Sequence, residues 1–338
     1  MPEPHAPDTF VDERELVGEA AHDMLPVDAG FEVPMLAVEA GDEGLVKKKL
    51  GIGAWLAIAW LVILAGTCVL APILPIDGPK DQIDGLNLQQ PFCTAADCVS
   101  GHPLGGDQLG RDMTSRLVYG ARNSLFIAIG SVIIGVVIGG FLGLLAGYRR
   151  GKLETITMGA MDVLLSVPAL VLALSLSIFL EPRMVDWLGS RETAGRVTLT
   201  LTFGLIAIPT LARITRANTL VWSQREFVTA ARAQGAKDWR IMFREVLPNV
   251  VPAMFAIALL AIAVVVVAEV SISILGAGID PPAPTWGNII FEGVRHLTNG
   301  RAPHIVLEAS IFIFLTVMSF NYLGDAVRAK FDVREAGV

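Results

Sequence analysis

Six mostly apolar runs mark the chain, near residues 50–74, 124–147, 156–180, 197–221, 249–275 and 304–323. Each approaches the ~20 residues that a helix needs to cross a hydrocarbon layer of ~30 Å. The pattern predicts an all-α polytopic membrane protein with six transmembrane helices. The fourth run is the weakest, because Arg213 and Arg216 interrupt it and only Val197 to Ala212 is free of charge. If that run failed to cross, every later segment would change sides.

Between the runs the polar positions are unevenly charged. Residues 1–46 hold twelve acids against the single base Arg14, so this tail carries −11 and the rest of the chain +4 of the total −7. Such a segment cannot bury enough apolar surface to offset chain entropy and reads as a disordered cytoplasmic tail. It precedes a transmembrane domain of residues 47–338. The first apolar run follows Lys47 to Lys49 and reads as an uncleaved anchor. Leu64-Ala65-Gly66-Thr67-Cys68 is one residue too long for a lipoprotein cleavage box. Short cytoplasmic loops are enriched in Lys and Arg, and with both termini inside, the inner segments hold 17 of the 26 bases. The loop after the fourth run carries most of that bias, which makes it cytoplasmic and requires the fourth run to cross. The mean hydropathy of +0.58 fits lipid as the solvent, and no nucleic-acid partner is expected.

Within the second run, Ser131, Gly135, Gly139, Gly143 and Gly147 form a small-residue stripe at four-residue spacing. Another helix can approach closely there, either as fixed packing or as a moving seam. Asp162 and Glu269 are intramembrane carboxylates and so candidates for function. Both lie near estimated span ends, which favours an ion pair or cap. His102, Asp107 and Asp112 lack a ligand-spaced partner set, so no metal is expected. More plausible are ion pairs and caps formed by Arg111, Asp112 and Arg116 at the outer surface. Cys93 and Cys98 share the predicted outer loop, residues 75–123, and are a candidate disulfide on the oxidising side of the membrane.

The most informative segment is the basic loop 222–248. Ser223 and Glu226 fit a capping box, Gly235 suits a left-handed helix end, and a second short helix through Trp239, Ile241, Met242 and Phe243 should stop at Pro248. Phe227, Val228, Trp239 and Phe243 are expected on the surface. Two readings fit: docking on a partner protein, or lying on anionic headgroups.

Thr229-Ala230-Ala231, then Gly235 and Leu247-Pro248, resembles the signature loop of ABC importer permeases, which forms the coupling helix on the nucleotide-binding subunit. Thr229 stands where that family usually has Glu, and Glu245 where a hydrophobic residue or His is common. Three further segments resemble the peptide and nickel branch, in particular the C-type subunit of dipeptide and oligopeptide permeases. They are His102-Pro103-Leu104-Gly105 through Tyr119-Gly120-Ala121-Arg122-Asn123-Ser124-Leu125, then Leu275-Gly276-Ala277-Gly278-Ile279 with Pro281 to Asn288, and Asn321-Tyr322-Leu323-Gly324-Asp325 with Arg328.

The resemblance implies a type I ABC importer permease fold in a bacterial inner membrane. It assigns Glu226, Phe227, Thr229, Ala230, Ala231, Gly235, Trp239, Leu247 and Pro248 to coupling with the ATPase. It also implies a second permease subunit, two nucleotide-binding domains, an extracytoplasmic solute-binding protein and a small peptide as substrate, with nickel or another small solute as the alternative. The chain has no GxxxxGK[ST] phosphate loop, so ATP and Mg²⁺ belong to the partner ATPases, and neither catalysis nor a cofactor is expected here. An ion-coupled carrier would show repeats and midplane charges, and a membrane enzyme would project His, Ser, Asp or metal-ligand sets from its spans. Neither pattern is present in the sequence.

Overall fold

The computed structural model describes residues 51–94 and 98–335, so the acidic tail predicted over 1–46 lies outside the described residues. The described chain is helical: α1 (Ile52–Leu70), α2 (Met113–Arg149), α3 (Lys152–Ser166), α4 (Ala169–Leu188), α5 (Arg191–Trp222), α6 (Glu226–Ala233), α7 (Asp238–Ile274), α8 (Trp286–Thr298) and α9 (His304–Glu335). Five of these are long and apolar enough to cross a membrane singly.

The third predicted span is not one helix. It breaks into α3 and α4, which meet at an angle of 86°. Pro168 explains the break: its ring disfavours helical geometry at the preceding residue, and Val167 is extended (φ −85°, ψ 128°). The pair still traverses the bundle. At one end, the Tyr148 hydroxyl donates to Asp238 Oδ1 at 3.0 Å, joining the end of α2 to the start of α7. At the other end, Glu192 at the start of α5 pairs with Lys80 at 2.6 Å, and Arg191 with Asp280 beyond α7 at 3.3 Å. Residues 152–188 therefore start at one end and finish at the other, giving six traverses.

The segment read from the sequence as an outer loop is shorter than expected. Its helix begins at Met113 rather than after residue 123, because Asp112 caps it by accepting from Ser115 N at 2.8 Å, which satisfies an amide with no partner inside the helix. The small-residue stripe of α2 lies on α5. The Ser131 hydroxyl donates to Thr200 O at 3.0 Å, Gly139 faces the backbone at Ile208, Gly143 that at Ala212, and Gly147 meets Thr219. A side chain added at Gly139 or Gly143 would meet backbone rather than movable groups, so this face packs closely against α5 within the chain. A π-helical turn at Gly135–Gly139 sits inside that contact.

α5 runs unbroken through Arg213 and Arg216, and α3 supplies an acid for each: Arg213 pairs with Asp162 and Arg216 with Glu154. Glu269, placed near water by the span estimate, is instead fully buried. It accepts from the Ser124 and Ser273 hydroxyls at 3.1 and 3.0 Å. The main apolar core joins α2, α5, α7, α8 and α9 around Leu117, Phe203, Val266, Trp286 and Ile305.

Candidate functional site

The basic loop between α5 and α7 forms one exposed, cation-rich face. Its local structure differs from the sequence pattern at three points. First, Ser223 stays with α5: its amide donates to Thr219 O at 2.9 Å and its hydroxyl to Leu220 O at 3.1 Å. The capping box with Glu226 does not form, and α6 starts behind Arg225 without a side-chain cap. Second, α7 does not stop at Pro248 but runs from Asp238 to Ile274. A π-helical turn over Met242–Val246 precedes the proline, and Leu247 N bonds Met242 O. This shift to i→i−5 bonding lets the helix pass a residue that has no amide to donate. Third, Val228 is buried, not exposed.

α6 closes as the glycine requires. Gly235 has φ +80°, and the amides of Gly235 and Ala236 donate to Arg232 O and Ala231 O at 2.9 and 3.1 Å. This is a Schellman closure, open to residues that tolerate the left-handed region. Of the residues assigned to coupling, Glu226, Phe227, Thr229, Ala230, Gly235, Trp239 and Pro248 are exposed, while Ala231 and Leu247 are half-buried. Trp239 is 64% exposed. Gly235, Lys237, Trp239, Arg240, Phe243 and Arg244 border a hollow of about 680 Å³.

The opposite side of the loop is held by a small core in which Val228, Ile241, Met242 and Val246 pack with Leu144, Tyr148, Val250 and Met254. Over it, Tyr148 bonds Asp238 and Arg232 lies 5.6 Å from the Tyr148 ring centroid. The loop therefore grips α2 as well as continuing into α7. Pattern alone identified Phe227, Trp239 and Phe243 as exposed but neither the burial of Val228 nor this grip, since nothing local ties Tyr148 to Asp238. Tyr148→Phe keeps the packing and removes one hydrogen bond, typically worth about 1 kcal/mol. The expected result is normal membrane insertion with the loop released from α2 about twofold more often, read as faster limited proteolysis within 222–248, at the low end of what such a loss allows. An unchanged rate of loop cleavage would deny Tyr148 a positioning role.

At the other end of the bundle, Asp107, Arg111 and Arg116 are buried. Arg111 and Arg116 both pair with Asp107, and both reach Glu292 of α8, at 2.5 and 2.9 Å. His102 Nδ1 lies 3.2 Å from Asp112 Oδ1. Burial pushes the Asp107 carboxyl up, but Arg116 and Arg111, with the Arg111 amide, outweigh it and hold it below the usual carboxylate range. Glu292, absent from the sequence-derived set, completes this balanced network of two cations and two anions. Cys93 and Cys98 are joined as a disulfide, with Cα atoms 6.0 Å apart. Cys68 is free and buried.

Comparison with known proteins agrees with this architecture. The family described as "Binding-protein-dependent transport system inner membrane component" matches residues 135–336. A glutathione transport system permease protein of Pectobacterium atrosepticum is 39% identical over 69% of this chain and 73% of its own length. A di/tripeptide transport system permease protein of Pseudomonas aeruginosa is 31% identical over 83% of this chain and 88% of its own. In structure, a chain of an inward-facing MetNI methionine ABC transporter superposes with a TM-score of 0.51 at 24% identity, over 64% of this chain and 97% of that one, which supports the shared fold. The chain belongs to the family of binding-protein-dependent transport system inner membrane components.

Proposed function

We propose that this chain is a membrane-spanning permease subunit of an ATP-driven importer of short peptides. The observation that carries the reading is mechanical: the helix that presents exposed Trp239 and Phe243 is the same unbroken helix that crosses the membrane as α7. A partner that moves the loop would move a span with it. The relatives named for glutathione and di/tripeptide transport support a peptide as the solute.

The chain contributes no hydrolysis of its own in this reading. Two partner nucleotide-binding domains hold ATP and Mg²⁺, a second permease subunit completes the pathway, and an extracytoplasmic binding protein delivers the solute. Closing of the ATPase pair biases the bundle only through contacts that differ between its states, and the basic loop supplies those contacts. The loop faces the cytoplasm in a bacterial inner membrane, with both termini on that side, as the distribution of bases supports.

The test uses vesicles containing the assembled transporter. Uptake of a labelled di- or tripeptide should require the binding protein together with ATP. An Arg232→Cys variant should react with a membrane-impermeant maleimide only from the side on which ATP acts. Uptake driven by an ion gradient without ATP would reject the importer reading, and labelling from the opposite face would reject the orientation.

A further inference from the structure

The motif Tyr119 to Leu125 has a role in the fold for every polar residue except Arg122. Tyr119 donates to Ala71 O at 3.2 Å, Asn123 to Pro284 O at 2.7 Å, and Ser124 to Glu269. Arg122 makes no hydrogen bond or ion pair among the described residues. It is exposed into a hollow of about 480 Å³, at the end of the bundle proposed to face outward. The walls are segment 78–81, the outer parts of α2 and α5, and Pro284.

Charges around this hollow are not balanced. Its bases are Lys80, Arg122 and Arg196, and its acids Asp81 and Glu192. Both acids are already engaged. Asp81 Oδ2 accepts from Gly78 N at 3.0 Å, and Glu192 is shared between Lys80 at 2.6 Å and Arg196 at 3.4 Å. The walls are also held in place: the Tyr119 and Asn123 bonds pin α2 to the segments flanking the hollow, and the Ser115 hydroxyl donates to Asp77 O at 2.6 Å. An unpaired guanidinium on a rigid wall, with a second guanidinium on the same hollow, suits a planar carboxylate that accepts two parallel N–H bonds.

We propose that this hollow receives the free C-terminal carboxylate of the transported peptide as it leaves the binding protein, with Arg122 as the principal contact and Arg196 beside it. The assignment rests on the peptide reading above and adds a specificity-determining site on the permease itself. A carboxylate on the binding protein's surface has the same chemistry, and the experiment separates the two sources.

Vesicles carrying the assembled transporter, with wild-type chain, Arg122→Gln or Arg122→Lys, are supplied with the binding protein loaded with a labelled tripeptide or with its C-terminal amide. Loading is measured separately and uptake is expressed per loaded binding protein. Docking of the unloaded binding protein to each complex is measured in parallel.

Wild-type vesicles should take up the acid about tenfold faster than the amide, in keeping with the strength of a charge-assisted pair. Arg122→Gln should reduce that preference to within about twofold by slowing the acid alone, and Arg122→Lys should retain part of it, since charge remains but the fork is lost. Equal slowing of acid and amide would overturn the proposal. Weakened docking of the unloaded binding protein by Arg122→Gln would overturn it in favour of a protein carboxylate. Wild-type vesicles that hydrolyse ATP in response to the binding protein yet move neither peptide would remove the peptide reading, and this site with it.

Discussion

Gly235→Val is expected to leave the spans inserted and reduce peptide uptake by about tenfold or more. The cause is conformational rather than steric, because a Cβ at Gly235 would meet nothing within 4 Å. The backbone, however, sits at φ +80°, where an L-residue pays about 1–2 kcal/mol, and β-branching adds crowding. Relief requires undoing the closure in which Gly235 and Ala236 donate to Arg232 and Ala231. That would re-aim α6, and with it Phe227 and Thr229, relative to Trp239 on α7. A shift of about 1.4 kcal/mol in a two-state preference is a factor of ten. Gly235→Asn should restore most uptake, because Asn enters the left-handed region more readily than other non-glycine residues. The measurement is ATP-driven uptake alongside ATP turnover, at matched expression and assembly. Equal uptake by the Val and wild-type proteins would remove the loop from coupling, and a defect that Asn shares in full would point to something other than backbone geometry.

The legibility of this fold in its sequence follows from how local each determinant is. Spans are local runs, so their existence and order were readable, and Gly235 was readable because helix closure depends on a few adjacent residues. Partners distant in sequence were not. The stripe from Ser131 to Gly147 reveals a face for close approach, but only the structure shows that α5 occupies it. Arg213 and Arg216 weakened the fourth span on paper because their acids, Asp162 and Glu154, lie on another helix. Pro168 carried a local signal for a break, which the continuous apolar run around it masked. Ser223 satisfied the capping pattern yet was already committed to the end of α5, a competition between two adjacent helices that a four-residue motif cannot express. Glu292 contributes to the network of Asp107, Arg111 and Arg116 from about 180 residues beyond Arg111, where no spacing rule reaches.

Arg116→Leu is expected to lower the stability of the end of the bundle where α2 meets α8 by about 3 kcal/mol, because removing one partner from a buried charge network leaves an uncompensated charge. Arg116 and Asp107 are each 1% exposed at the side chain, and Glu292 is 13% exposed. Arg111 alone would then face two carboxylates, and the tie between α2 and α8 would weaken. Lys80→Leu provides the contrast. Its pair with Glu192 is 47% and 29% exposed, and solvent screening limits such surface pairs to about 1 kcal/mol or less. The readout is thermal unfolding of the purified assembly in detergent or nanodiscs, with Arg116→Leu shifted well below Lys80→Leu. Acid dependence gives a second arm. A carboxyl held below its ordinary range contributes stability above its unfolded pKa and loses it as pH falls through the lower, folded value. In the wild type, Asp107 should therefore keep its contribution at pH 5 as at pH 7 and lose it only below about pH 4. Identical melting of the two variants, or loss of the Asp107 contribution already at pH 5, would show that the network does not hold α2 to α8.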